Sequence, residues 1–164
     1  MDAITYGSLL LKLGNTQLSV RECYINENPG SHGVLSVDAE TQEELKDYLL
    51  YEEDGHIGLF AMIGESSKPL FFGTVTRMEV KVQGGRCVLH LEALTESYQM
   101  DIMPRNRSFQ DTAMTSHQLI HKILEPYLQS QIQFSIEDKA LKQIIVQYQE
   151  TDWAFLNRVL SLYC

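Results

Sequence analysis

The chain has little proline, with four residues in 164, so few positions force an element to break. It has three cysteines, Cys23, Cys87 and Cys164, an odd number at no useful spacing. That excludes a disulfide-stapled scaffold and a paired-cysteine metal or redox motif, and leaves free thiols suited to a reducing cytoplasm. No apolar run approaches the roughly 20 residues of a membrane span. The N-terminus lacks a basic stretch followed by an apolar one, so no signal peptide is read there. Positive charge is short: 13 Lys and Arg stand against 22 Asp and Glu, a net charge of −9, and the basic residues are scattered. Tracking a phosphate backbone needs a basic stripe, so nucleic-acid binding is disfavoured. There is also no G-x-S-x-G elbow and no phosphate-cradling loop.

What is present is enough apolar residue to build a core. Hydrophobic residues make up 44% of the chain and charged residues 21%, which argues for a packed fold rather than a disordered one. The length fits one domain or slightly more. From Tyr6 to Met103 the pattern is mainly strand. Segments 8–13 and 17–26 alternate loosely around Gly14-Asn15, a hairpin turn signal. Asn28-Pro29-Gly30 is a break, and 33–39 is a third strand. Thr41 to Tyr51 predicts a helix, with Thr41 and Glu44 spaced as a capping box and Leu45, Tyr48 and Leu49 on one face. Strands follow at 57–63, 70–82 and 86–98, the last two turning at Gly84-Gly85. In the last of these, apolar residues occupy both parities, which predicts cover on both faces of part of the strand. Gly73, inside a long strand, predicts a bulge or barrel corner. The acidic groups 42–44 and 52–54 read as solvated faces.

Beyond Pro104 the character changes. A helix starts at Asp111 or Thr115 and must stop near Glu125, because Pro126 cannot enter its interior. Strands are expected at 131–136 and 143–149, around a turn at 137–139. A last helix is capped by Thr151, with Glu150 and Asp152 at the positive end of its dipole. Trp153, Leu156, Val159, Leu160 and Tyr163 form its expected apolar face, with Tyr148 at the strand end beneath it. The fold class is therefore mainly β with α: a small antiparallel, tube-like barrel with a side helix over 1–104, then a mixed α/β segment over 105–164.

The run Tyr148-Gln149-Glu150-Thr151-Asp152-Trp153-Ala154-Phe155-Leu156-Asn157-Arg158 resembles a signature of contractile-injection hub proteins. These are the phage tail late-control D proteins, baseplate hubs and VgrG-type spikes of type VI secretion. Phe71-Phe72-Gly73-Thr74-Val75 resembles the family's aromatic-x-Gly-x-Val strand of the first barrel. Arg107-Ser108-Phe109-Gln110, ahead of the helix at 116–124, resembles its Arg-x-Phe-Gln segment. The resemblance runs from about residue 70 to the C-terminus. It implies a structural signature of Phe72, Gly73, Arg107, Phe109, Gln110, Tyr148, Glu150, Thr151, Asp152, Phe155, Leu156 and Arg158. It implies a homotrimer whose barrels join in a ring between tail tube and spike, with edge strands pairing between subunits. Assembly would take place in the bacterial cytoplasm, with the product residing in a virion tail or injection baseplate. Family members continue past this signature, so the chain is expected to be an N-terminal part or a short member.

No catalytic, cofactor or metal residue is expected. His117 and His121 have the i, i+4 spacing of two metal ligands, but Gln118 stands where a hydrolytic zinc helix needs Glu, and no third ligand is near. His32 and His56 lie beside glycines in turns. Glu150 and Asp152 straddle a helix start and do not face one another as an acid–base pair would. Arg158 is expected to pair with Glu150 or with an Asp at the barrel edge. The competing reading is a small cytosolic hydrolase or ligand-binding barrel, which would need a pocket with titratable side chains from separate strands.

Overall fold

The computed structural model describes residues 8–41, 55–83, 86–127, 134–135 and 137–162. The chain divides into two compact units, one ending at Ser97 and the other beginning at Tyr98. The first contains β1 (Leu9–Leu13), β2 (Thr16–Asn26), β3 (Val34–Thr41), β4 (His56–Ile63), β5 (Ser66–Gln83) and β6 (Arg86–Thr95). All pairings are antiparallel, in the order β1-β2-β3-β6-β5-β4, and β1 also pairs with β4 to close a barrel. The expected mainly-β barrel is the observed one.

Period-two alternation makes the interior. Leu11 and Leu13 of β1, Leu35, Val37 and Ala39 of β3, Leu59 of β4, Phe71 of β5, and Leu89, Leu91 and Ala93 of β6 all point into one buried apolar cluster. Cys87 and Val88 are buried as well as Leu89, so β6 begins covered on both faces, as its mixed parity predicts. The β1–β2 hairpin turns at Gly14, whose φ of 53° is the left-handed conformation that glycine accepts without strain. Gly73 has a different reason. A Cβ placed there would lie 2.0 Å from the backbone oxygen of Leu94, so the residue is small because two strands meet backbone to backbone. The bulge nearby falls between Val75 and Arg77.

Two strand limits differ from expectation. β5 starts at Ser66, not Leu70, and runs through Pro69, which pairs opposite Phe60 beside a bulge between Leu59 and Phe60. A bulge is one of the few places where a strand tolerates a residue with no amide hydrogen. β6 stops at Thr95, before Tyr98, because the chain turns into a 3-10 segment, Glu96–Asp101. The helix expected over 41–51 and the acidic groups at 42–44 and 52–54 lie outside the described residues, except Thr41, which ends β3.

The second unit contains β7 (Pro104–Phe109), α1 (Ser116–Leu124), β8 (Ile145–Thr151) and α2 (Asp152–Leu160). β7 and β8 pair antiparallel. Pro104 both leaves the barrel segment and opens β7, the first position of a strand being open to proline. Thr115 caps α1 through a reciprocal box with Gln118: Gln118 N donates to the threonine hydroxyl, and Thr115 N donates to Gln118 Oε1. The strand expected at 131–136 is not found at the described residues 134–135. There Phe134 instead stacks on His117, ring centroids 3.8 Å apart. Met100, Met114, Leu119, Ile123, Leu141, Ile145, Phe155 and Val159 belong to this unit's own core.

Candidate functional site

The most tightly organised side chains of the second unit surround the start of α2. Thr151 is the N-cap, its hydroxyl oxygen accepting from Ala154 N, as its sequence position predicts. The same hydroxyl donates to Asp101 Oδ1. Asp152, expected only to complement the helix dipole, does more. It is fully buried. Gln147 Nε2 donates to its Oδ1 at 2.8 Å, and the Tyr127 hydroxyl donates to its Oδ2 at 3.0 Å. Arg107 Nη2 donates to Oδ2 at 3.2 Å, while Arg107 Nη1 lies 3.1 Å from Oδ1, close enough for an ion pair but off the line of a hydrogen bond. A buried carboxylate survives only with such neutralisation. Burial, and then the bond to Asp152, push the Tyr127 hydroxyl above its ordinary pKa.

The strand and helix around Asp152 set this geometry. Arg107 and Gln147 are directly opposed across β7 and β8, so both project from the same face. A bulge between Arg105 and Asn106 leaves Gln149 as an extra residue of β8. Gln149 has a φ of 50°, unusual for a residue with a side chain, and its amide donates to Asn106 Oδ1 at 2.8 Å. The kink advances the chain so that Glu150, not Gln149, turns toward α2. Arg158 then holds Glu150 with two bonds, Nε to Oε1 at 2.8 Å and Nη2 to Oε2 at 2.7 Å, and also donates to Val146 O. This is one of the two pairings expected of Arg158. The guanidinium bond lowers the Glu150 pKa and raises that of Arg158.

Other expectations need correction. Tyr148 does not lie beneath the helix: it is 71% exposed, because it shares the outward parity of β8 with Val146. The buried face of α2 is Asp152, Phe155, Leu156 and Val159, while Trp153 and Leu160 are only half-buried. The helix is rotated toward Phe155, which stacks on Phe109 of β7 with centroids 5.8 Å apart. Gln110 is exposed. In the barrel, Phe72 is exposed and meets Phe60 edge-on at 5.3 Å, both rings covering Gly58. Edge strands of a free sheet are also not what the first unit offers, since the barrel closes. Stretches of the barrel with a hydrogen-bonded neighbour on one side alone nevertheless remain, among them 20–26 of β2 and 66–72 and 76–83 of β5.

His117 and His121 share a neighbour: both rings contact Phe134, face-on and edge-on respectively. Asp138 accepts from His117 N and from the Ser116 hydroxyl, supplementing the α1 cap; the His117 amide bond is the main cause of its lowered pKa. Gln147 and Tyr127 are the site residues that the sequence pattern does not single out. For Gln147 a signal exists: it is a polar residue at the inward parity of β8, two positions after the buried Ile145.

A profile of the phage tail baseplate hub (GPD) family matches residues 56–163, about two-thirds of the chain. The chain belongs to that family. The match begins at β4 and takes in both the Gly73 strand and the Asp152 corner. A comparison with curated protein sequences gives no match. Solved structures share the fold. The 43 kDa tail protein of prophage MuSo2 from Shewanella oneidensis superposes with a TM-score of 0.69 at 13% identity, covering 94% of this chain and 50% of that one. A tail protein from Neisseria meningitidis MC58 gives 0.63 at 13% identity, covering 93% and 45%. The E. coli c3393 protein, a type VI secretion component described as similar to the T4 bacteriophage tail proteins gp27 and gp5, gives 0.63 at 16% identity, covering 92% and 42%. The chain thus spans half the length of these structures or less.

Proposed function

We propose that the chain is a structural hub subunit of a contractile phage tail or related injection machine, joining the tail tube to the spike. The observation that carries this is the family match over residues 56–163, which covers half of the closed barrel and the whole strand–helix corner. On this reading residues 1–104 form the hub barrel and 105–164 begin a second domain that continues in longer relatives. The subunit acts without catalysis and works as a homotrimer. It assembles in the bacterial cytoplasm and ends in the baseplate. Pairing between subunits would use the half-open stretches 76–83 of β5 and 20–26 of β2. Alternating charges at Arg77, Glu79 and Lys81 on β5 keep that stretch from indiscriminate pairing. No specific observation favours a hydrolase or ligand-binding barrel: among the described residues, the buried cluster inside the barrel is apolar.

The test is genetic and structural. Deleting the gene from its host element should abolish complete baseplates in electron micrographs, and the plasmid-borne gene should restore them. An antibody to the protein should label one end of the tail. Normal tails in the deletion, or label spread along the sheath, would reject the hub role.

A further inference from the structure

At the Asp152 corner two buried polar atoms have no hydrogen-bond partner among the described residues: Gln147 Oε1, an acceptor, and Arg107 Nη1, a donor. They belong to directly opposed residues of β7 and β8. Both side chains reach the same carboxylate oxygen, Gln147 Nε2 at 2.8 Å and Arg107 Nη1 at 3.1 Å from Asp152 Oδ1. Turning the Gln147 amide over does not help. Its nitrogen already donates to both Asp152 Oδ1 and Glu150 O, and the flip would put oxygen against two acceptors.

Hydrogen-bond valence then selects the ligand. An anion can only accept, and would meet Gln147 Oε1 with repulsion. A cation is excluded by the guanidinium. A side chain from another molecule cannot reach atoms closed off from solvent. One molecule is small enough, donates and accepts, and is the ordinary occupant of buried polar gaps. We propose that a single ordered water bridges Arg107 Nη1 and Gln147 Oε1, accepting from the first and donating to the second. It makes Gln147 a positioning residue. The water and the amide together fix the end-on approach of Arg107 to Asp152, through Nη1 and Nη2, and so the angle at which β8 enters α2.

The test uses the full chain in solution. Water-to-protein NOE and ROE spectra should show cross-peaks of opposite sign to the Gln147 side-chain amide protons, the mark of a water held longer than the protein tumbles. Oxygen-17 relaxation dispersion should lose the amplitude of one long-lived water in Gln147→Met, which keeps the side-chain length without the carbonyl. Absence of those cross-peaks in the wild-type protein, or an unchanged dispersion amplitude in the folded variant, overturns the proposal. If Gln147→Met does not fold, the wild-type cross-peaks decide alone.

Discussion

The two units reach a fixed structure by different means. The barrel is a repetition: inward apolar residues on each strand, closed by the β1–β4 pairing, with its charged groups on the outside. Its specificity lies in backbone geometry, above all at Gly73. Among its described residues, the second unit has a shorter sheet of two strands and two helices of nine residues each, too little to be stable by hydrogen-bond ladders alone. It adds a buried ionic socket to a small core. The contrast shows two routes to one conformation. A closed sheet needs shape, and a small open one uses polar partners that fit only one arrangement. Buried ion pairs add little net stability, but they cost heavily when half of one is removed. The second unit should therefore fail by loss of a partner, and the barrel by loss of space.

Gly73→Ala should give the largest effect. Its methyl group would need the place of the Leu94 carbonyl oxygen, and backbone held between two paired strands cannot step aside as a side chain would. Destabilisation above about 4 kcal/mol is expected, in the range reserved for a broken fold element. The single tryptophan, Trp153, lies in the second unit, so its fluorescence and the β-sheet circular dichroism report the two units separately. The dichroism midpoint in urea should drop. A Trp153 midpoint that drops equally would show that the two units unfold as one, and would erase the comparison.

Asp152→Ala comes next. It removes the carboxylate from Arg107, Tyr127 and Gln147 together and leaves a partly buried guanidinium uncompensated. The expected cost is about 3–5 kcal/mol. Replacing Arg107 by Met as well should recover part of it, since an apolar pair leaves no unmatched charge. A double-mutant cycle in urea measures that coupling. Strictly additive losses would mean that the socket is packing rather than electrostatics.

The barrel is largely legible in the order of its residues because its rule is alternation, and alternation is a property of that order. Even the doubly covered start of β6 shows as mixed parity. What the pattern misses is local. Pro69 hides the first residues of β5, because proline usually ends a strand and only the bulge that leaves Leu70 unpaired beside it admits it. In the second unit the signature locates the strand, the Thr151 cap and the Arg158–Glu150 pair. It does not reveal the rotation of α2. Trp153 and Phe155 both look like core residues by type, and the choice between them depends on the bulge at Gln149, which shifts the phase of everything after it. Asp152 reads as a capping charge because acidic residues at helix starts commonly face solvent. Its burial follows from Arg107, more than forty residues away in sequence, a pairing that no local pattern encodes.

The smallest effect should come from the Glu150–Arg158 pair, and pH reveals it. The two bonds from Arg158 lower the Glu150 pKa in the folded chain below its ordinary value of about 4.3. The unfolded chain therefore takes up a proton first as pH falls. The pair's contribution is fully present above the unfolded pKa and fades as pH drops through the lower folded one. Both partners retain solvent contact, Arg158 at 47% and Glu150 at 23% exposure, so solvent screening limits the contribution to roughly 0.2–1 kcal/mol. Glu150→Gln should thus lower the urea midpoint slightly at pH 7, and the gap from wild type should close below about pH 4. Asp152→Ala should show a larger deficit at pH 7, which separates the buried partner from the surface one. If the Glu150→Gln gap persists undiminished in acid, Glu150 contributes through its shape at the β8 bulge, and the surface pair is no part of what distinguishes the second unit from the barrel.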